Sequence, residues 1–119
     1  MERIHSELTD KLFETILRLK TVDECYDFFE DICTIKEVQD MAQRLDAAIL
    51  LEQGLSYQKI MEQVAISTAT IGRVNRALNY GAGGYQQVLE KAREDAAAII
   101  AKAQQDAEEI ILKAKESHS

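Results

Sequence analysis

Two arginines three residues apart, Arg73 and Arg76, stand in the stretch SYQKIMEQVAISTATIGRVNRALNYG, Ser56 to Gly81. A guanidinium is a permanent cation with a planar fork of donors, so such a pair can hold phosphates, pair with guanine edges or clamp a flat ligand. On a helix, at about 100° per residue with Ile71 taken as the inward reference, Val74 and Leu78 fall within about 60° of it. Ala69, Arg73 and Arg76 fall on the opposite side, flanked by Thr70 and Gly72. That face joins small side chains, a hydroxyl and two guanidiniums, with no bulky or acidic residue among them, which suits close approach to a DNA major groove. Helix pairs of this layout also serve as plain packing elements, and arginines on a helix are commonly a solvated face. Salt separates the two readings, because affinity for DNA falls by a slope of about 0.9 per neutralised phosphate.

These residues need a helix-turn-helix to position them. Ser56 is a good N-cap, YQKIMEQV supplies two turns with Ile60 and Val64 facing inward, AIS makes the connection, and Ser67 or Thr68 caps the second helix. The rest of the chain offers little helix-breaking punctuation: it has no proline and five glycines, four of them between Gly72 and Gly84. An all-α protein is expected. With 119 residues the chain is one ordinary domain, near the size at which a partner subunit often completes the core. The N-terminal MERIHSELTDKLFETILRLK has charges every few residues, unlike a signal peptide, and nowhere do eighteen apolar residues run together. A soluble, cytoplasmic protein without membrane contact is the expectation.

Charge is distributed unevenly. Residues 1–54 carry 13 acidic and 6 basic side chains, residues 55–80 carry 1 and 3, and residues 81–119 carry 7 and 5, giving net charges of −7, +2 and −2. The segment with a positive balance is the one that holds the arginine pair, and for phosphate contacts at physiological salt the local charge outweighs the total.

The first zone reads as three amphipathic helices. Leu8, Leu12, Ile16 and Leu19 recur at steps of three and four, with Phe13 and Leu17 widening the stripe. Thr21 with Glu24, and Thr34 with Glu37, match capping boxes that open the second and third helices. Val38, Met41, Leu45, Ala48 and Leu50 or Leu51 form the stripe of the third, and Gly54 is its stop. So much apolar surface on short helices implies a partner that covers it, and a homodimer is the simplest one. Cys25 and Cys33, eight apart on what reads as one helix, lie roughly 12 Å apart along the axis, too far for a disulfide, and read as buried thiols. His5 and His118 have no cysteine or carboxylate cluster at ligand spacing, so no metal site is expected.

The run from Phe28 to Gly81, above all CTIKEVQDMAQRL and STATIGRVNRALNYG, resembles the Trp-repressor-like family of bacterial DNA-binding regulators, the YerC/YecD type, and more distantly the tryptophan repressor. The resemblance spans most of residues 1–85. It implies an intertwined all-helical homodimer with two helix-turn-helix units pointing the same way. It also implies that Thr68, Ala69, Thr70 and Gly72 face DNA, with Gln58 and Met61 near the backbone. At those last two positions the repressor has basic residues, so phosphate contacts here fall to Lys59, Arg73 or Arg76. The expected DNA-facing set is Gln58, Lys59, Ser67, Thr68, Ala69, Thr70, Gly72, Arg73 and Arg76. By the same resemblance Arg44 and Arg73 match the arginines that sandwich the repressor's indole, and Thr34 matches a pocket residue. The position after the second arginine, glycine in the repressor, is here Val74, whose side chain occupies the space a flat ring would need. Tryptophan is therefore disfavoured as corepressor, the effector is left open, and salt bridges from Arg44 and Arg73 to nearby carboxylates are the plainer expectation.

After the glycine-rich NYGAGGY the texture changes. KAREDAAAIIA sits above KAQQDAEEIIL and KAK, so Lys91, Lys102 and Lys113 are in register, as are Asp95 and Asp106 and the pairs Val88-Leu89, Ile99-Ile100 and Ile110-Ile111. An eleven-residue period is about 3.67 residues per turn, suited to a nearly straight or right-handed bundle. Residues 86–119 thus form an amphipathic helix beyond a 1–85 domain whose helix-turn-helix covers about 56–79. The tail is either a route to a higher oligomer or a solvated helix. No Gly-rich phosphate loop, nucleophile–base spacing or cofactor motif is present, which argues against an enzyme. The expected function is a homodimeric regulator of transcription, a repressor by resemblance, acting on double-stranded DNA. The competing expectation is a helical assembly or adaptor protein that does not bind DNA and oligomerises through its tail.

Overall fold

A computed structural model describes residues 4–117; Met1 to Arg3, His118 and Ser119 lie outside the described residues. The described residues fold into six helices: α1 (Glu7–Ile16), α2 (Val22–Ile32), α3 (Ile35–Glu52), α4 (Tyr57–Gln63), α5 (Thr68–Tyr80) and α6 (Gly84–Ser117). Among the described residues there is no strand.

Hydroxyl caps set where five of these helices start. The side-chain oxygens of Ser6, Thr21, Thr34, Ser56 and Ser67 each accept the backbone N–H three residues on, at 3.1 to 3.2 Å. Each bond satisfies one of the donors that a helix start leaves open. At α3 the box closes in both directions, with the Thr34 N–H donating to Glu37 Oε1 at 2.8 Å. That backbone bond, helped by the Thr34 hydroxyl, holds the Glu37 carboxyl below the ordinary glutamate value. At α2 the reciprocal half is displaced by one residue, because Glu24 Oε2 accepts from the N–H of Lys20 at 3.4 Å.

The end of α3 is equally specified. Gly54 has φ +89°, its N–H reaches the Leu51 carbonyl at 3.0 Å, and the Leu55 N–H reaches Leu50 at 3.1 Å. Those two bonds and the left-handed glycine make a Schellman stop, which leaves Leu55 alone between it and the Ser56 cap of α4.

By contact density the chain divides into Met1–Ala82 and Gly83–Ser119. In the first unit α3, α4 and α5 pack on one another, and their buried side chains are Ala47, Ala48, Ile60, Val64, Ile71, Val74 and Leu78. Buried alanines on α3 let a neighbouring helix axis come close. The stripe expected on α3 is therefore only partly inward: Ala48 is buried, but Met41 and Leu45 are exposed. The α1 helix stops at Ile16, and the N–H groups of Arg18 and Leu19 turn back to Thr15 and Ile16 in three-residue turns, so Leu19 falls beyond the stripe it was expected to continue. The reading of both cysteines as buried thiols is also corrected. Cys25 is exposed on α2, and Cys33 is half-buried at the extended C-cap, just past the helix.

The second unit is the single helix α6, whose 34 residues extend about 51 Å at 1.5 Å per residue. Leu89 is its buried residue among those described, whereas both isoleucine pairs are exposed.

Candidate nucleic-acid interface

The candidate interface is built on α4 and α5, joined through residues 64–67. Ile60, with no exposed surface, and Val64 anchor α4, while Ile71, Val74 and Leu78 anchor α5, which packs chiefly on α3. The inward triad expected from spacing is the buried triad of the helix. Its outer face follows from the same geometry: Thr68, Ala69, Arg73 and Arg76 are exposed, and Thr70 and Gly72 are half-buried at the edges. Gln58 and Lys59 are exposed in the first turn of α4, and Met61 is 40% exposed.

Two members of the set serve the helix start. Ser67 Oγ accepts the Thr70 N–H at 3.2 Å and shares a hydroxyl contact with Thr70 Oγ1 at 3.0 Å. The first turn of α5 holds no acidic residue, so the positive end of its dipole is left uncompensated by a side-chain carboxylate. The side chains of Arg73, Arg76 and Arg44 have no ion pair or hydrogen bond among the described residues. The salt bridges expected for Arg44 and Arg73 accordingly do not form there.

Gly72 is the most informative position on this face. A Cβ built on it would meet no atom within 4 Å, so packing within the chain does not require a glycine. Glycine inside a helix nevertheless costs about 1 kcal/mol relative to alanine. Gly81 differs, because a Cβ there would run into the backbone of Ala77, and the end of α5 requires the glycine.

The residues expected to form a ligand pocket are dispersed within one chain. Thr34 is the N-cap of α3 with its hydroxyl occupied by Glu37, and Arg44 lies ten residues on, about 15 Å along the axis. Both are exposed, as is Arg73 on α5. Val74 is 2% exposed and belongs to the core. Spacing alone did not reveal a groove of about 680 Å³ between α2 and α3, lined by Val22, Cys25, Tyr26, Phe29, Ile35 and Val38 among others. Thr34 borders it, and Arg44 and Arg73 do not. The excess of apolar side chains in this zone was the available signal; where they converge depends on the angle between two helices.

Known proteins share this helical fold. The sequence profile of the family described as Trp repressor protein matches residues 7–93, which ends inside α6. The uncharacterized protein YerC of Bacillus subtilis (strain 168) is 46% identical over 94 residues, covering 79% of this chain and 90% of that protein. The crystal structure of a TrpR-like protein from Eubacterium eligens ATCC 27750 superposes with a TM-score of 0.75 at 46% identity, over 77% of this chain and 95% of that one. A Staphylococcus aureus crystal structure gives the same TM-score at 40% identity, over 77% and 92% of the two chains. The chain belongs to the Trp repressor family.

Proposed function

We propose that this protein is a transcriptional regulator, a repressor by kinship, that binds double-stranded DNA as a homodimer with α5 as the reading helix. The observation that carries the proposal is the outer face of α5. It presents two arginines with no side-chain partner among the described residues, beside small side chains and a glycine that internal packing does not need. Arg76, Arg73 and Lys59 supply phosphate or guanine contacts, and Thr68, Ala69, Thr70 and Gly72 approach the bases. Ser67 and Gln58 lie at the two helix starts, where the backbone of DNA passes.

The homodimer is supported by what one chain leaves uncovered. Leu8 is 79% exposed and Leu17 82% on α1, and Ile35, 75% exposed, lines the α2–α3 groove. Single exposed leucines are ordinary, but bulky apolar side chains left open on each of three helices call for a partner. Tryptophan is disfavoured as corepressor because Val74 fills interior space, and the protein acts by binding rather than catalysis, in the cytoplasm.

Selection of bound fragments from genomic DNA, followed by titration of the purified protein, tests the proposal. Replacing Arg73 and Arg76 with alanine removes four cations per dimer, so the salt slope should drop by up to about 3.6 if all four meet phosphates. Affinity should fall at least tenfold while the dimer survives; unchanged binding would overturn the assignment of α5. Absence of any sequence preference at low salt would favour the adaptor reading, for which the exposed isoleucine pairs of α6 speak.

A further inference from the structure

The family match ends at residue 93, yet α6 continues to Ser117, and its apolar stripe has no cover among the described residues of its own unit. Ile99 is 69% exposed, Ile100 58%, Ile110 68% and Ile111 56%. At eleven residues per three turns, about 98° per residue, Ile99 and Ile110 share one line and Ile100 and Ile111 another roughly 98° away. The alanines at 96, 103 and 107 fall between these lines, so the stripe is continuous, with small residues at its middle that permit close helix approach. A helix evolved only to be wet needs no such period.

The two edges of the stripe differ in charge. Asp95 and Asp106 lie about 33° outside the Ile99 line, whereas Arg93 and Lys115 lie about 33° outside the Ile100 line, with neutral Gln104 between them. Intrahelical pairs of Arg93 with Glu90 at 2.7 Å and Lys102 with Asp106 at 3.4 Å flank the stripe with exposed side chains, so a neighbour can share them. When two copies align in parallel and in register, Asp95 of each helix comes level with Arg93 of the other, and Asp106 with neutral Gln104. In an antiparallel pair each edge would meet its own kind.

We infer that α6 pairs in parallel and in register with α6 of a second copy of this chain, through a seam of Ile99, Ile100, Ile110, Ile111 and the alanines between them. The occupant of the stripe is thus the same helix, and the pairing does not depend on whether α5 reads DNA.

Disulfide trapping in the full-length protein tests it. Ala96→Cys and Ala107→Cys lie on the seam, and Glu108→Cys lies about 115° from its centre. After mild oxidation, mass spectrometry of the linked peptides separates tail–tail bonds from any that involve Cys25 or Cys33. Parallel pairing gives Ala96→Cys linked to itself and Ala107→Cys linked to itself, at least tenfold above Glu108→Cys. Linkage that appears only when the Ala96→Cys and Ala107→Cys proteins are mixed would show an antiparallel pair and overturn the inference. Equal yields from all three variants, or no tail–tail bond, would overturn it as well. Substituting Ile100→Asp and Ile111→Asp in the Ala107→Cys protein should abolish its self-linkage while α1–α5 still unfold cooperatively, and persistent linkage would again refute the seam.

Discussion

Replacing Gly72 with alanine separates what this residue does for the fold from what it does for a partner. Gly72 is the fifth residue of the 13-residue α5, in an ordinary helical conformation, and a methyl group there would meet no atom within 4 Å. Alanine should therefore stabilise the helix by up to about 1 kcal/mol per chain. For a domain of this size that is a rise in Tm of roughly 3–6 °C, read by calorimetry or circular dichroism. The same methyl raises the surface by about 1.5 Å, the length of a carbon–carbon bond, on the ridge that runs from Thr68 through Gly72 to Arg76. Hydrogen bonds of 2.7–3.2 Å from the flanking side chains cannot absorb a displacement of that order. Losing one charge-assisted bond costs about 1.5–3 kcal/mol, so selective DNA affinity should fall roughly 10- to 100-fold, measured by fluorescence anisotropy on a selected fragment. The salt slope should change little, since no charge is removed. A protein that is more stable and binds its fragment as tightly as before would refute close approach at Gly72, and a lower Tm would refute the open space around it.

Two further substitutions test the scaffold. Thr34→Ala removes the cap of α3 and should cost about 1 kcal/mol, seen as a fall of several degrees in Tm. The charge of Glu37 contributes in the same box: its folded value lies below the unfolded one, so the contribution is present above the ordinary glutamate range and is lost as pH falls through the lowered value. Glu37→Gln should accordingly be less stable than the parent at pH 7 and indistinguishable from it once both are titrated well below that range; a difference that persists in acid would assign the effect to shape instead. Gly54→Ala should lower the urea midpoint by the equivalent of about 1 kcal/mol, because alanine is strained at φ +89°, and an unchanged midpoint would show that the stop relaxes freely.

Local chemistry carried much of this fold into the sequence. Thr21, Thr34, Ser56 and Ser67 cap the helices they were expected to cap, and the Ile71–Val74–Leu78 triad is buried as its spacing implied. These features depend on neighbours three or four residues away, where backbone geometry leaves little choice. Met41 and Leu45 were misjudged for the opposite reason: periodicity marks a face as apolar without saying whether its cover comes from the same chain or another. Alanines 47 and 48 carry a weak hydrophobic signal, yet they take the buried place on α3 because a close helix crossing needs small residues. The outer face of α5 was legible as a face, whereas the groove between α2 and α3 was not, because helix-to-helix angles are settled by tertiary contact. Val74 was legible as an inward residue.

Among the described residues the fully buried bulky side chains are Ile60 and Ile71, and α1 and α2 lean only lightly on the rest. In the proposed homodimer, the lifetime of such chains would depend on their number. When copies are scarce, mass action favours separated chains whose leucines, phenylalanines and tyrosines are open to proteases; when copies are abundant, pairing hides them. On that proposal abundance would set its own floor, and a modest fall in synthesis would clear the protein faster than dilution by growth alone.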